Sequence, residues 1–498
     1  MNRQKLFILV VLLGCLSACT KPNPDACCTN EAECLALGSS ELRPCDAGRV
    51  CSNNQCFEVQ CETAAQCAGG TPYCVNQLCV GSCKVEADCG GVPGAPLCAD
   101  DQVCVGCRGN ADCSGATPIC DAEDRACRGC ETDGDCASGV CLEADGVCAK
   151  EEEIVFLSGG ADTGECTRLS PCASLPYALS KVTAVRPVIR LLGSELDIAS
   201  TVFLRGKKIY IDSVGTKLSY GGASGTPMFV IDTSGRVTME RVVFSPMSLH
   251  YVTIGQLGFL RLWRSSANNV LGGADFFSVV GGNFLVQRSE IDQRITCSSG
   301  GAVSIESTRV GRLSARTGLL QSTDCVFSMS RSTLSSSEDG VEILGGVATI
   351  ENNLFLNSNQ LADFLLVKSA GQGSRFAFNT IVNTSGVVSE GVALTCDASA
   401  GVVNNIIAYR SSSPHTGGCP TRYTLYDDAV SFPPGEGNLT APFSAIFVDP
   451  SSQDFRPSVA SPARGMAGLG VIPAVDHDGR VRPLPAGTKP DVGAFEVP

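Results

Sequence analysis

Between residues 239 and 407 the chain repeats itself. A small polar or β-branched residue recurs at Val242, Ser265, Ser289, Thr308, Ser332, Asn353, Asn379 and Asn405, at steps of 23, 24, 19, 24, 21, 26 and 26 residues. Three residues before these stand Met239, Leu262, Val286, Ile305, Met329, Ile350, Phe376 and Val402, all apolar. Two residues after them stand Phe244, Ala267, Ile291, Val310, Leu334, Phe355, Ile381 and Ile407. Apolar ladders of this period mean a solenoid, in which each turn hides its apolar face only against the next. The ladders lie five residues apart, an odd number, so a straight strand would point them to opposite faces. A corner is therefore expected between them, at the recurring residue, because Asn tolerates left-handed backbone. Short strands with corners predict an all-β fold, a right-handed parallel β-helix. At about 4.8 Å per turn the eight aligned turns make a column on the order of 35 Å long. No 3.6-residue period competes over this span.

Ahead of this repeat the chain changes character. It holds 30 cysteines, 22 of them between Cys27 and Cys148, with Cys166, Cys172, Cys297, Cys325, Cys396 and Cys419 beyond. Cys28-TNEAE-Cys34, Cys61-ETAAQ-Cys67, Cys83-KVEAD-Cys89, Cys107-RGNAD-Cys113 and Cys130-ETDGD-Cys136 share one pattern, C-x3-[AG]-[DEQ]-C. A polar loop and a second pair follow, as in Cys120 and Cys127 or Cys141 and Cys148. Five modules starting 22 to 33 residues apart are too short to fold on apolar burial alone, so cross-links supply the deficit. The CxxC pairs Cys104–Cys107 and Cys127–Cys130 join the end of one module to the start of the next. The region has no histidine to complete a zinc site and no βαβ setting for redox chemistry. Disulfides are predicted, with metal or redox use the alternative; no metal and no cofactor is called for. Residues 20–150 carry 20 acids and 8 bases, a net −12 of the chain's −14. That balance suits a solvated spacer and argues against nucleic acid or an anionic lipid surface as partner.

The first residues, MNRQKLFILVVLLGCLSACT, have a basic start and an apolar run too short to span a bilayer, so they read as an export signal. Leu16-Ser17-Ala18-Cys19 resembles the lipobox of bacterial lipoproteins. The resemblance implies cleavage before Cys19 and acylation there, hence a membrane partner through lipid, and Thr20 in place of Asp implies the outer membrane. The cysteine modules resemble Dickkopf-type amino-terminal repeats of exported bacterial proteins. The segment VFLSGGADTGECTRLSPCASLPYALSKV resembles the opening of pectin-lyase-like β-helix proteins, where a Gly/Asp loop leads to a capping helix. The residues Asp478-Gly479, Arg482-Pro483 and Asp491-Val492-Gly493-Ala494-Phe495-Glu496 resemble the tail of choice-of-anchor β-helix surface proteins. The expected organisation is a signal over 1–18, a lipidated linker over 19–26, modules over 27–148, a β-helix over 149–440 and a C-terminal cap over 441–498.

Candidate sites are few. Pectin-lyase-like folds host lyases and hydrolases, which need acids at matching positions on adjacent turns. Asp292, Asp324, Asp339, Asp363 and Asp397 fall in different phases, so no acidic ladder is expected. His250, His415 and His477 have no nucleophile motif nearby. Arg241, Arg264, Arg288 and Arg331 each precede the recurring residue and form a candidate ligand-binding stripe for acidic polysaccharide. The competing reading pairs them with acids such as Glu240, Glu290 and Glu306. Within the β-helix the expected disulfides are Cys166–Cys172, Cys297–Cys325 and Cys396–Cys419, since each closes a loop confined to neighbouring turns. The expected function is non-enzymatic carbohydrate binding or adhesion by a lipid-anchored envelope protein whose β-helix sits on a disulfide stalk. The alternatives are a polysaccharide lyase or hydrolase, and a structural envelope component.

Overall fold

The structure is a computed structural model. It describes residues 49–52, 55–58, 73–75 and 78–80 by their backbone, then 83, 85–89 and 94–497. Within the last span, residues 224, 246–251, 269–274, 312–318, 337–339, 359–363, 369–370, 372, 385–391, 398–399, 410–414, 419, 429–433 and 469–471 are not among them. Cys19, the modules' earliest cysteines, His250, Asp339, Asp363 and Cys419 lie outside the described residues. The chain forms two compact units, Met1–Cys148 and Ala149–Pro498.

In the first unit each described module is a short 3-10 turn followed by a two-stranded antiparallel hairpin, as in Asn110–Asp112 with Ile119–Cys120 and Cys127–Arg128. The cysteines pair first to third and second to fourth: Cys83–Cys98 and Cys89–Cys104, Cys107–Cys120 and Cys113–Cys127, Cys130–Cys141 and Cys136–Cys148. The module consensus has a physical reason. The acid before the second cysteine closes the 3-10 turn: Asp112 Oδ2 accepts from the backbone N–H of Arg108 at 2.7 Å, and Asp135 Oδ2 from that of Glu131 at 2.8 Å. The residue three after the first cysteine holds the hairpin. Asn110 Oδ1 accepts from the Cys120 N–H at 2.8 Å, and Asp133 Oδ1 from the Cys141 N–H at 3.1 Å.

The second unit is a parallel β-helix of three sheets with 12, 12 and 10 strands. The first sheet runs from Ile154–Leu157 to Thr421–Arg422, the second from Glu195–Ile198 to Leu439–Ala441, the third from Val202–Arg205 to His415–Gly417. Both predicted ladders are buried, the first on the first sheet and the second on the second sheet. A third ladder, including Phe229, Val252, Phe277, Ile295, Leu320, Val341, Leu365 and Leu394, fills the remaining side. The helix Leu175–Lys181 opens on Ser174, which accepts from the Tyr177 N–H, and packs Leu175 and Ala178 into the core beside Ile154–Leu157. Disulfides join Cys166 to Cys172 and Cys297 to Cys325, and Cys396 is disulfide-bonded as well.

The corner differs from the sequence expectation by one residue. The left-handed backbone belongs to the residue before the recurring one: Arg241, Arg264, Arg288, Ser307, Arg331, Asn352, Phe378 and Asn404, with φ between 46 and 60°. Such a backbone costs about 1–2 kcal/mol for a side-chain-bearing residue. The recurring residue turns inward, where its backbone N–H meets the side chain one turn on. Ser265 donates to Ser289 Oγ at 3.1 Å, Thr308 to Ser332 Oγ at 3.1 Å, Asn353 to Asn379 Oδ1 at 3.0 Å and Asn379 to Asn405 Oδ1 at 2.8 Å. A small polar residue recurs there because a buried N–H at a corner has no strand partner and must be paired from inside.

The tail packs over the outer side of the second sheet. Phe447, Phe455 and Val492 pack on Leu356, Val382, Ala408 and Phe378, which the second sheet and its corner turn outward. Arg482 lies 4.7 Å from the Phe378 ring, donates to Asn352 Oδ1 at 3.1 Å and pairs with Glu496 Oε1 at 2.6 Å, both charged side chains fully buried. Asp491 accepts from the Gly465 and Val497 N–H groups, and Asp476 from those of Arg480 and Glu496. The tail motif is therefore an internal clasp whose acids are satisfied within it.

Candidate functional site

Outward-facing positions on the first sheet come from the same period that buries the ladders. Two residues before the recurring position, successive strands place Arg190, Asp212, Glu240, Trp263, Gln287, Glu306, Ser330 and Glu351 in one column. This corrects the expectation that no acidic ladder exists: Asp212 and Glu240 stand in register on adjacent turns. Asp212 lies ahead of the first recurring residue, Val242, so the period alone does not bring the pair together. Both carboxylates are fully buried although they face outward. Arginines cover the first of them. Asp212 is held between Arg190 and Arg241, the latter at 2.6 Å, and burial raises its carboxyl while the two guanidinium groups pull against that. Carboxylates closed off in this way have no access to a glycosidic bond.

The four corner arginines share a backbone position but not a partner. Three of them reach towards the preceding turn. Arg241 pairs with Asp212 and Arg331 with Glu306, while the guanidinium of Arg288 sits 4.9 Å from the Trp263 ring centre. Arg264 and Arg288 are exposed. Glu290, expected as a partner of the stripe, pairs instead with Arg309 on the second sheet. Ser307 breaks the stripe, and beyond Arg331 the corner passes to Asn352, Phe378 and Asn404 under the tail.

Sequence reasoning missed the cations on the flat face beside that corner. Lys208 lies 5.0 Å from the Tyr210 ring, Arg236 5.0 Å from Phe259, and Arg261 5.2 Å from Trp263. All belong to first-sheet strands on consecutive turns, at outward positions. Arg261 also donates to Gln287 Oε1 at 2.8 Å, and Gln287 donates to Glu306 at 2.7 Å, which links four turns through side chains. Among the described residues no carboxylate pairs with Lys208, Arg236 or Arg288. A cation over a ring keeps its charge and is worth about 0.5–1 kcal/mol when exposed. The signal for this face was available as a basic or aromatic residue at even offsets before the recurring position, but it mixes residue types and moves across the sheet.

His477, by contrast, is structural. It joins the tail to the column through Thr333 Oγ1 at 3.2 Å and packs 4.8 Å from Phe495, with Asp478 at its other ring nitrogen. The three cysteine clusters close enough to hold a metal, for example Cys107, Cys113 and Cys127, are sulfurs already paired in crossing disulfides. No protein-family model matches the chain, and no curated protein is similar enough to count as a match.

Proposed function

We propose that this chain is an exported cell-envelope lipoprotein, acylated at Cys19 and held at the outer membrane, whose β-helix binds an acidic polysaccharide without cleaving it. The lipobox-like Leu16-Ser17-Ala18-Cys19 and the cross-linked modules support export. One observation carries the binding reading: Lys208, Arg236, Arg261, Arg264 and Arg288 gather on consecutive turns of one face, beside Tyr210, Phe259 and Trp263. The rings hold the cations over them in place, and the cations meet carboxylate or sulfate groups. Of the expected stripe, Arg264 and Arg288 join this surface, while Arg241 and Arg331 are taken up by acids of the preceding turn.

Trp263 is the chain's only tryptophan, so its emission reports on the face directly. A polyuronate or a sulfated glycan should shift that emission on titration, a neutral glucan should not, and the shift should fade as salt rises, since screening acts within about 10 Å at 0.1 M. Changing Arg264 and Arg288 together to alanine should weaken binding and leave the fold intact. Equal binding by that variant, or shortening of the glycan chain, would overturn the reading.

A further inference from the structure

We propose that the modules from Cys83 to Cys148 form one stiff array, locked at each junction by a glycine and a bridging arginine, and not a string of beads. This is independent of what the β-helix binds. Each junction is a two-residue link, Val105-Gly106 or Arg128-Gly129, between the last cysteine of one module and the first of the next. Gly106 is wedged between neighbours. A Cβ added there would lie 2.7 Å from the Gly94 carbonyl of the module before it and 3.1 Å from the Arg125 carbonyl of the module after it. Its N–H and that of Cys107 both donate to that Arg125 carbonyl, at 2.8 and 3.0 Å. Gly129 repeats the arrangement. A Cβ there would lie 3.0 Å from Gly146 Cα in the next module and 3.4 Å from the Ala116 carbonyl in the preceding one, and the Cys130 N–H donates to the Gly146 carbonyl at 2.8 Å.

Charge marks the same places. Residues 83–148 contain three arginines, and all three pair across a junction. Arg108 reaches Glu86 at 3.2 Å, Arg125 reaches Asp101 at 2.6 Å, and Arg128 bridges Asp121 of its own module and Asp135 of the next at 3.1 and 3.5 Å. In so acidic a segment neighbouring modules would repel, and arginines confined to the junctions offset that repulsion where the surfaces meet. The glycine also recurs as Gly81, two residues after Cys79, where another module follows. The same position after Cys148 is Lys150, where no module follows.

The test is a distance distribution between spin labels introduced as unnatural amino acids at Ala87 and Ala137 in the full chain, leaving every disulfide intact. A stiff array gives one narrow peak. Gly106→Ala and Gly129→Ala should each lose that peak to a broad distribution. Gly109→Ala should keep it, because a Cβ at Gly109 meets nothing within 4 Å. Arg125→Gln and Arg128→Gln, which leave the backbone untouched, should broaden the peak less, and thiol counting should find each variant fully cross-linked. A broad peak in the parent, a narrow one in both junction-glycine variants, or equal broadening by Gly109→Ala each refutes the lock.

Discussion

The modules and the β-helix bury different materials. In the module of Cys83–Cys104 the core is Cys83, Cys89, Ala95, Val103 and Cys104 with Val105 of the link, and in that of Cys130–Cys148 it is Cys130, Cys136 and Cys141, packed against Ile119 of the module before. Sulfur is the principal apolar mass there. In the column the core is a continuous stack of branched and aromatic side chains, with edge-to-face and stacked rings such as Phe244–Phe276 and Phe277–Phe284. A module stabilises itself by closing loops of 11 to 15 residues, each worth about 3 kcal/mol through the entropy removed from the unfolded chain. A turn of the column is stabilised by the turn next to it. Short range and covalent on one side, cumulative and non-covalent on the other, the two units should fail under different insults.

The largest expected effect is reduction. Full reduction in native buffer should abolish amide protection across residues 83–148, while the column keeps its strand signal in circular dichroism. Retained protection once every thiol is free would break the contrast. Next comes Ile350→Asp, which sets a carboxyl between turns and should cost more than about 4 kcal/mol, unfolding the column but leaving the module disulfides in place. Peptide mapping and a denaturant titration would read both halves of that outcome. Third is Asn379→Ala. It unpairs the buried N–H of Asn353 and takes a donor away from the carbonyls of Ile350 and Ala377 and should cost about 3 kcal/mol, seen as an earlier unfolding midpoint with an unchanged slope. Smallest is an acid effect confined to the modules. The Glu131 N–H, the salt bridge to Arg128 and a second N–H from Thr132 hold the Asp135 carboxyl below its ordinary value of 3.8. Its contribution is complete above that value and disappears as pH falls through the lower folded one. Protection of the Glu131 and Thr132 amides, relative to their intrinsic exchange at each pH, should therefore fall in acid while the disulfides persist, and a protection profile that ignores Asp135→Asn would remove the carboxylate from the account.

Two of the three ladders were readable in the sequence because a corner of constant length separates them. From Met239 to Phe244, and again from Val402 to Ile407, the count is the same. The third was not readable, since its distance from the second changes, from four residues between Ile291 and Ile295 to thirteen between Ile381 and Leu394. The corner itself was placed one residue late. Asn353 and Asn379 look like turn residues, yet their side chains serve an interior hydrogen-bond ladder while Asn352 and Phe378 take the left-handed backbone. The module consensus was legible as a pattern but not as a mechanism. That Asp112 and Asp135 close their turns follows only from the direction of the Arg108 and Glu131 N–H groups. The cationic face was least legible, because Lys208, Arg236, Arg261 and Arg288 occupy three different offsets from the corner.

The crossed pairing of the module cysteines bears on survival among proteases. With Cys107 bound to Cys120 and Cys113 to Cys127, a single cut anywhere between Cys107 and Cys127 leaves the two pieces covalently joined. Only the two-residue links could sever the array in one event. Arg128, which a trypsin-like enzyme would seek, is engaged there by Asp121 and Asp135 beside a glycine packed against the next module. A nicked chain of this kind migrates as one species until it is reduced. Cuts would accumulate within a module without separating its two ends.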